Sequence, residues 1–349
     1  MLYSVLSFNI ILKSLSALVI SFVICYTLFP LIIKTFRNYK VKQIIRHDGP
    51  STHIMKKTTP TIGGIVIIIS VIISTVLLAD LNNKFIIWFL IGTIYFGCLG
   101  FFDDYLKYKR NSSKGISAKH KMLIQIVFAS CVACYLFFFP VNLYFATLVV
   151  IPFFNNLFIQ LSFLYYILAI IIIVGSSNAV NLTDGLDGLA IGNVIIVAFT
   201  FSIITYCSGI FDITKVLHIV YISQCQEISI YLMSIVGAGL GFLWYNSYPA
   251  EIFMGDTGSL FLGGVLGMTS LFLKQELLLV IVGGVFVIEA ISVLLQVYFY
   301  KQTCGKRIFK MAPLHHHFEL LGLNETKITI RFWIIGIILA VFSLISICL

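Results

Sequence analysis

Long apolar runs separated by short polar segments occupy the chain from end to end. Ten of them approach the roughly 20 residues that a helix needs to cross a hydrocarbon core, at 14–33, 62–79, 85–102, 122–139, 161–180, 188–206, 228–246, 257–273, 277–300 and 330–348. The eighth is short and rich in glycine, and the ninth carries Glu289 near its middle, so these two are the candidates for a broken or tilted helix. The segment after the fourth run, with Pro140, Asn142 and Pro152 and no charge, reads as a short turn or hairpin. No repeat and no Gly/Ser- or Pro-rich linker divides the chain, which predicts one integral-membrane domain over 1–349, all-α and polytopic.

Composition agrees with that pattern. Of 349 residues, 60% are hydrophobic and 11% charged, against about 25% charged in soluble domains. This excludes a soluble globule, a disordered chain and a coiled coil. The eight cysteines lack zinc or secreted-disulfide spacing and read as reduced packing residues, including the Cys131/Cys134 pair inside the fourth run. The first run has no basic stretch before it and no small-residue cleavage pattern, so it reads as a retained helix rather than a signal peptide.

Net charge is +9, and its distribution gives it meaning. Seven lysines and arginines follow the first run, six follow the third and six follow the ninth, leaving only Lys13, Lys84, Lys215 and Lys274 for the other side. The positive-inside rule then places the odd-numbered loops in the cytoplasm and both termini outside. The basic excess is therefore a topology signal, and no nucleic-acid partner is expected. Trp88, Trp244 and Trp333 lie near span ends, where indoles favour the headgroup layer.

Half of the fourteen acids gather at the mouths on the cytoplasmic side: Asp103, Asp104, Asp184, Asp187, Glu251, Asp256 and Glu319. Uncompensated carboxylates at an apolar mouth are costly, and a hard divalent cation, Mg²⁺ above all, balances them when the substrate is a phosphate. Adjacent helical residues point about 100° apart, so Asp103 and Asp104 are expected to do different work rather than chelate one ion together. Asp184 and Asp187, in Asn181 to Gly188, would share one face if helical, although a helix cap explains them too. Phe253 to Ser259 stands before the eighth span, where free N–H groups favour anions. Ala312 to Glu319 holds three histidines, for which phosphate contact, a solvated loop and zinc are the options. Lys56, Lys57, Lys119 and Lys121 either snorkel or bind a polyphosphate.

Six segments together carry a family resemblance over nearly the whole chain: Lys56 to Gly64, Phe101 to Lys107, Gly115 to Lys121, Asn181 to Ala190, Phe253 to Ser259 and Met311 to Glu319. The sequence resembles the polyprenyl-phosphate N-acetylhexosamine-1-phosphate transferase superfamily, and the triple histidine resembles its muramoyl-pentapeptide branch. The departures are small: Thr58 where the family often has glycine, and Ile62 for a frequent methionine. The resemblance implies Mg²⁺-dependent transfer of phospho-N-acetylmuramoyl-pentapeptide from its UDP carrier to undecaprenyl phosphate, giving lipid I and UMP, by a homodimer with ten spans. It also implies Asp256 as metal ligand, and Asp103, Asp104, Asp256 and His315 as the catalytic set. Asn181, Asp184 and Asp187 would surround the nucleotide, with Phe253 near uracil. Lys56, Thr61, Lys119, Lys121, Asn246, His316 and His317 would line the substrate cleft. Glu289 also matches a family position, and burying it mid-span costs about 2.5–3.5 kcal/mol unless it is partnered or protonated. Direct attack by the lipid phosphate and a two-step aspartyl-phosphate route are both open. A transporter is the rival class, but the acids cluster at one face rather than at the midplane. A lipid-binding scaffold leaves the acids unexplained.

Overall fold

A computed structural model describes residues 2–38, 59–112, 114–154 and 157–348. Among these, eight helices are long and apolar enough to cross a membrane: α1 (Leu2–Asn38), α3 (Lys84–Arg110), α4 (Ala118–Phe138), α5 (Leu164–Thr183), α6 (Leu189–Ser208), α8 (Gln226–Asn246), α11 (Gly284–Gln302) and α13 (Glu325–Ser346). The second and eighth predicted spans are the shorter α2 (Gly64–Leu78) and the glycine-rich α9 (Gly255–Phe272). All ten predicted stretches therefore fall on helices, and the chain is an all-helical polytopic membrane protein. The ninth is broken at Gly283 into α10 (Glu276–Val282) and α11.

The uncharged segment after α4 forms a hairpin, β1 (Leu148–Val150) paired antiparallel with β2 (Phe158–Gln160), with Val149 opposite Ile159. A short helix, α7 (Phe211–Val216), precedes α8. The histidine segment is helical too, α12 (Leu314–Leu320), so the solvated-loop option for it fails: His315 is fully buried.

The helix at the centre is α9. Every residue from Thr257 to Phe272 is buried, with α3 and α5 packed on it and α1 against α8 in the next layer. Lipid tails give apolar helices no hydrophobic reason to associate, so close backbone approach has to supply the packing. Small residues make that approach possible. A side chain on Gly64 would strike the backbone of Gly258 and Thr257, and one on Gly263 would meet the backbone of Ser176 and Ser177. Many buried hydroxyls return their bonds to carbonyls one turn back, as in Ser70 to Val66 O at 2.8 Å and Thr269 to Val265 O at 2.8 Å, which satisfies those donors inside the helix that carries them.

The third predicted indole anchor also makes a protein contact. Trp333 Nε1 donates to Gly188 O at 3.2 Å and its ring lies against Gly192, tying α13 to the start of α6.

The Gly64/Gly258 crossing generates a prediction. Gly64→Val forces α2 off α9 and should cost about 1–3 kcal/mol, read as a lower thermal-unfolding midpoint in detergent. An unchanged midpoint would show that the crossing is not a packing constraint.

Candidate active site

Glycines and caps at one end of the bundle set the site. Gly100, one turn before the paired acids of α3, lies directly on the Asp256–Thr257 peptide: a Cβ there would overlap Asp256 O and sit 2.5 Å from Thr257 Cα. That contact brings Asp103 and Asp104 to the N-terminus of α9. Past the acids, α3 ends at Asn111, whose left-handed conformation (φ 45°) turns the chain back. Gly115 then lies over the Asp103 carboxylate, and Ile116 N donates to Asp103 Oδ1 at 2.7 Å.

Asp104 anchors the entry to α9. Its carboxylate accepts from Asp256 N at 3.2 Å, Thr257 N at 2.9 Å and Thr257 Oγ1 at 2.7 Å, which satisfies N–H groups that the first turn of a helix leaves free. Gly255, at φ +74°, allows the bend into that turn, and a side chain there would meet Asp104 Oδ2 and Thr61 Oγ1. The strand-like run before α2 is stitched to the same place through Phe253 N to Pro60 O and Gly63 N to Phe253 O, both 2.9 Å. Thr61 and the Phe253 backbone thus border α9.

Asp256 meets the opposite charge. Asn181 Nδ2 donates to its Oδ1 at 3.0 Å and to Ser259 Oγ at 2.8 Å. Lys121 Nζ binds its Oδ2 and lies 4.0 Å from Asp103 Oδ2. Lys107 Nζ stands 2.6 Å from Asp103 Oδ2, 3.1 Å from Asp256 Oδ2 and 3.8 Å from Asp104 Oδ1.

Asp103, Asp104 and Asp256 each offer an oxygen, and the three oxygens lie within 4.8 Å of one another. The helical angle alone thus does not keep Asp103 and Asp104 apart: their side chains bring an oxygen of each near Asp256 despite diverging Cβ directions. A hard, oxygen-liganded divalent cation fits this donor set. The group opens onto a cleft of about 780 Å³, lined among others by Arg110, Lys114 and Ser117.

Asp184 caps α5 in a non-helical turn, so it and Asp187 do not share a helix face. Burial, followed by the neighbouring Asp256, Asp104 and Asp187 carboxylates, pushes its carboxyl up to about 8. Asp187 and Asn246 are buried behind the cleft and bonded to backbone. Asp187 Oδ2 accepts from Ala250 N at 3.0 Å, while Asn246 receives Gly188 N at 3.0 Å and donates to Ile252 O at 2.9 Å. Both hold the α5–α6 turn against the segment leading into α9.

His315 packs its ring on Gly185. Its backbone N donates to Glu289 Oε1 at 3.2 Å, and its Nδ1 lies 3.2 Å from Glu289 Oε2. Glu289, the mid-span acid, is thereby partnered. His316 pairs with Glu319 at 2.7 Å, and His317 Nδ1 accepts from Lys310 N at 3.1 Å. Lys119 is exposed in the first turn of α4. Lys56 lies outside the described residues. Sequence reasoning passed over Lys107, Ser259 and Gly115. All three belong to segments it singled out, and an i,i+4 lysine after Asp103 was the available signal for Lys107.

A family model described as glycosyl transferase family 4 matches residues 86–274. A phospho-N-acetylmuramoyl-pentapeptide-transferase of Endomicrobium trichonymphae is 60% identical over 330 residues, 95% of this chain and 91% of its own. Proteins of the same name from Desulfatibacillum aliphaticivorans and Rickettsia prowazekii are 52% and 50% identical, over 97% and 95% of this chain and 92% and 91% of theirs. Together with an acid-lined cleft at the end of a helical membrane bundle, this similarity places the chain in the phospho-N-acetylmuramoyl-pentapeptide-transferase family.

Proposed function

We propose that this chain, as one integral-membrane domain over 1–349, transfers phospho-N-acetylmuramoyl-pentapeptide from its UDP carrier to undecaprenyl phosphate, forming lipid I and UMP in peptidoglycan synthesis. Family membership at 50–60% identity over almost the whole chain supports the reaction. The convergence of Asp103, Asp104 and Asp256, from two helices far apart in sequence, is the observation that carries the chemistry. The loop charges favour a cleft facing the cytoplasm, and the family resemblance favours a bacterial inner (cytoplasmic) membrane and a homodimer.

The chemical difficulty is bringing an anionic lipid phosphate onto a diphosphate. When bound, Mg²⁺ would offset the diphosphate charge and stabilise the departing UMP. In this reading Asp256 holds the ion, and Asn181 keeps the Asp256 carboxylate oriented by its bond to Oδ1. Asp104 fixes α9 through three accepted hydrogen bonds and turns its remaining capacity to the same point. Asp103 is positioned by Ile116 N and takes the proton of the lipid phosphate where one is present. Lys121 and Lys107 offset charge on the equatorial phosphoryl oxygens. Asn181, Asp184, Phe253, Thr61, Lys56 and Lys119 bind the donor. Asp187, Asn246 and His315 act through the loops and helix ends that they hold, with His316 and His317 at the rim.

The lipid phosphate oxygen attacks the sugar-linked phosphorus directly as the bond to UMP breaks. The central test follows UMP release by purified protein given UDP-N-acetylmuramoyl-pentapeptide and undecaprenyl phosphate, with and without Mg²⁺, and with UDP-N-acetylglucosamine as comparison donor. Release only with the muramoyl donor and Mg²⁺ is expected; metal-independent release overturns the assignment. Asp103→Asn and Asp256→Asn should each lose at least about 100-fold in rate, roughly 2.7 kcal/mol, and near-normal turnover of either would remove that residue from the chemistry. Chirally labelled donor should give inversion at phosphorus, whereas retention would indicate an aspartyl-phosphate route.

Asp184 adds a pH dependence. Its folded value of about 8 stands above the ordinary 3.8, so between these values the native protein holds a proton that the unfolded chain releases. The stabilisation is complete below the lower value and disappears as pH rises through the upper one. Thermal unfolding of metal-free protein from pH 6 to 9 should show a falling midpoint that flattens in Asp184→Asn. Identical slopes in the two proteins would refute the raised value.

A further inference from the structure

The ammonium of Lys107 stands among all three acids. No other described lysine does so: Lys121 reaches Asp256 from one side and is 4.0 Å from Asp103, whereas Lys107 is within 2.6–3.8 Å of one oxygen on each of the three. Magnesium binds oxygen at about 2.0–2.1 Å and demands near-octahedral geometry. An ion shared by these carboxylates would therefore take the space that the Lys107 ammonium fills. The two cations cannot be there together, because at such separation in a low-dielectric mouth their repulsion is large.

Lys107 also has somewhere to go. It sits in the last turn of α3, its side chain is 30% exposed against 14% for Lys121, and it lines the same cleft as Arg110 and Lys114. Its four-carbon stem is flexible, and its charge is compact. The opposite holds for the carboxylates, which are fixed by Ile116 N, by the first turn of α9 and by Asn181. The charges are consistent with an exchange: three carboxylates face two ammonium groups in the present arrangement, so a divalent ion added beside both lysines would leave the group net positive, whereas one that replaces Lys107 would leave it neutral.

We propose that Lys107 is a resident surrogate cation, holding the triad together in the donor-free enzyme and exchanging with the divalent ion when the donor's diphosphate enters the cleft and receives the lysine. This rests on the reading that the triad takes a divalent cation and the cleft takes a nucleoside diphosphate. Lys107 then weakens metal binding to the free enzyme and links metal binding to donor binding. Premature loading of the ion is discouraged without any moving domain.

The test is Mn²⁺ titration of the donor-free, purified full chain, read by electron paramagnetic resonance. Lys107→Gln should bind Mn²⁺ at least about fivefold more tightly than wild type, the direction expected when a competing charge is removed. Lys107→Arg, which keeps the charge, should stay close to wild type. Turnover of Lys107→Gln should fall, and adding UDP should tighten Mn²⁺ binding less in Lys107→Gln than in wild type. A merely structural salt bridge predicts the reverse for the first measurement, since a splayed triad binds metal more weakly. Unchanged or weaker Mn²⁺ binding in Lys107→Gln overturns the proposal. Should the Gln variant fail to fold, wild type decides: UDP that does not tighten Mn²⁺ binding overturns it. Wild type that releases UMP while Lys107→Gln gains no affinity defeats only this exchange. Wild type that neither binds Mn²⁺ nor releases UMP defeats the transferase reading beneath it.

Discussion

The contact between Gly100 and the Asp256–Thr257 peptide governs the functional end of this molecule. Two helix segments more than 150 residues apart in sequence meet there with no side chain between them, and only that closeness lets Asp104 bond the first turn of α9. Asp104 thus does two things at once. It satisfies N–H groups that would otherwise be buried and orphaned, and it carries negative charge to a helix N-terminus, where the dipole favours it. Asp103 and Asp256 inherit their positions from this joint, and the lysines, cleft and capping turns assemble around the charge it concentrates.

The same need for closeness explains why α9 looks marginal as a membrane span. A helix whose residues from Thr257 to Phe272 are all buried faces protein rather than lipid, so hydropathy is not what keeps it in place. Its glycines lie where α2, α3 and α5 press against it. The break at Gly283 has a different consequence. It starts α11 afresh, and α11 carries Glu289 to the N-terminal part of α12, where His315 meets it. A mid-span carboxylate that looked costly in isolation is the anchor of the histidine helix.

The ten helical stretches were legible because a bilayer imposes length and polarity on every crossing, and the loop charges because they are few and lopsided. The acids stood out for the same reason. Their mutual geometry was not legible. Helical angles place Asp103 and Asp104 apart, yet rotamer freedom and the Gly100 contact bring both to Asp256. Nor does spacing separate an acid that faces the cleft from one that holds a loop: Asp187 belongs to the same conspicuous segment as Asp184, but its carboxylate accepts from the Ala250 backbone, and Asn246, at the end of α8, likewise bonds backbone. Local pattern reports which residues are unusual, and only tertiary contact reports where each points.

The end of α3 also divides two solvents. Asp103, Asp104 and Lys107 turn toward the cleft, while Phe102 and Tyr105, on the opposite side of the same turns, are 56% and 44% exposed. In a membrane bundle an exposed apolar face of this kind is compatible with acyl chains. A reaction between a water-borne nucleotide and a lipid-borne phosphate needs such a boundary, so that the anionic headgroup reaches the acids while its hydrocarbon stays outside. The helical period supplies it within two turns, with residues three and four apart sharing a face. The turns that gather charge on one face of α3 thus set an apolar face directly behind it.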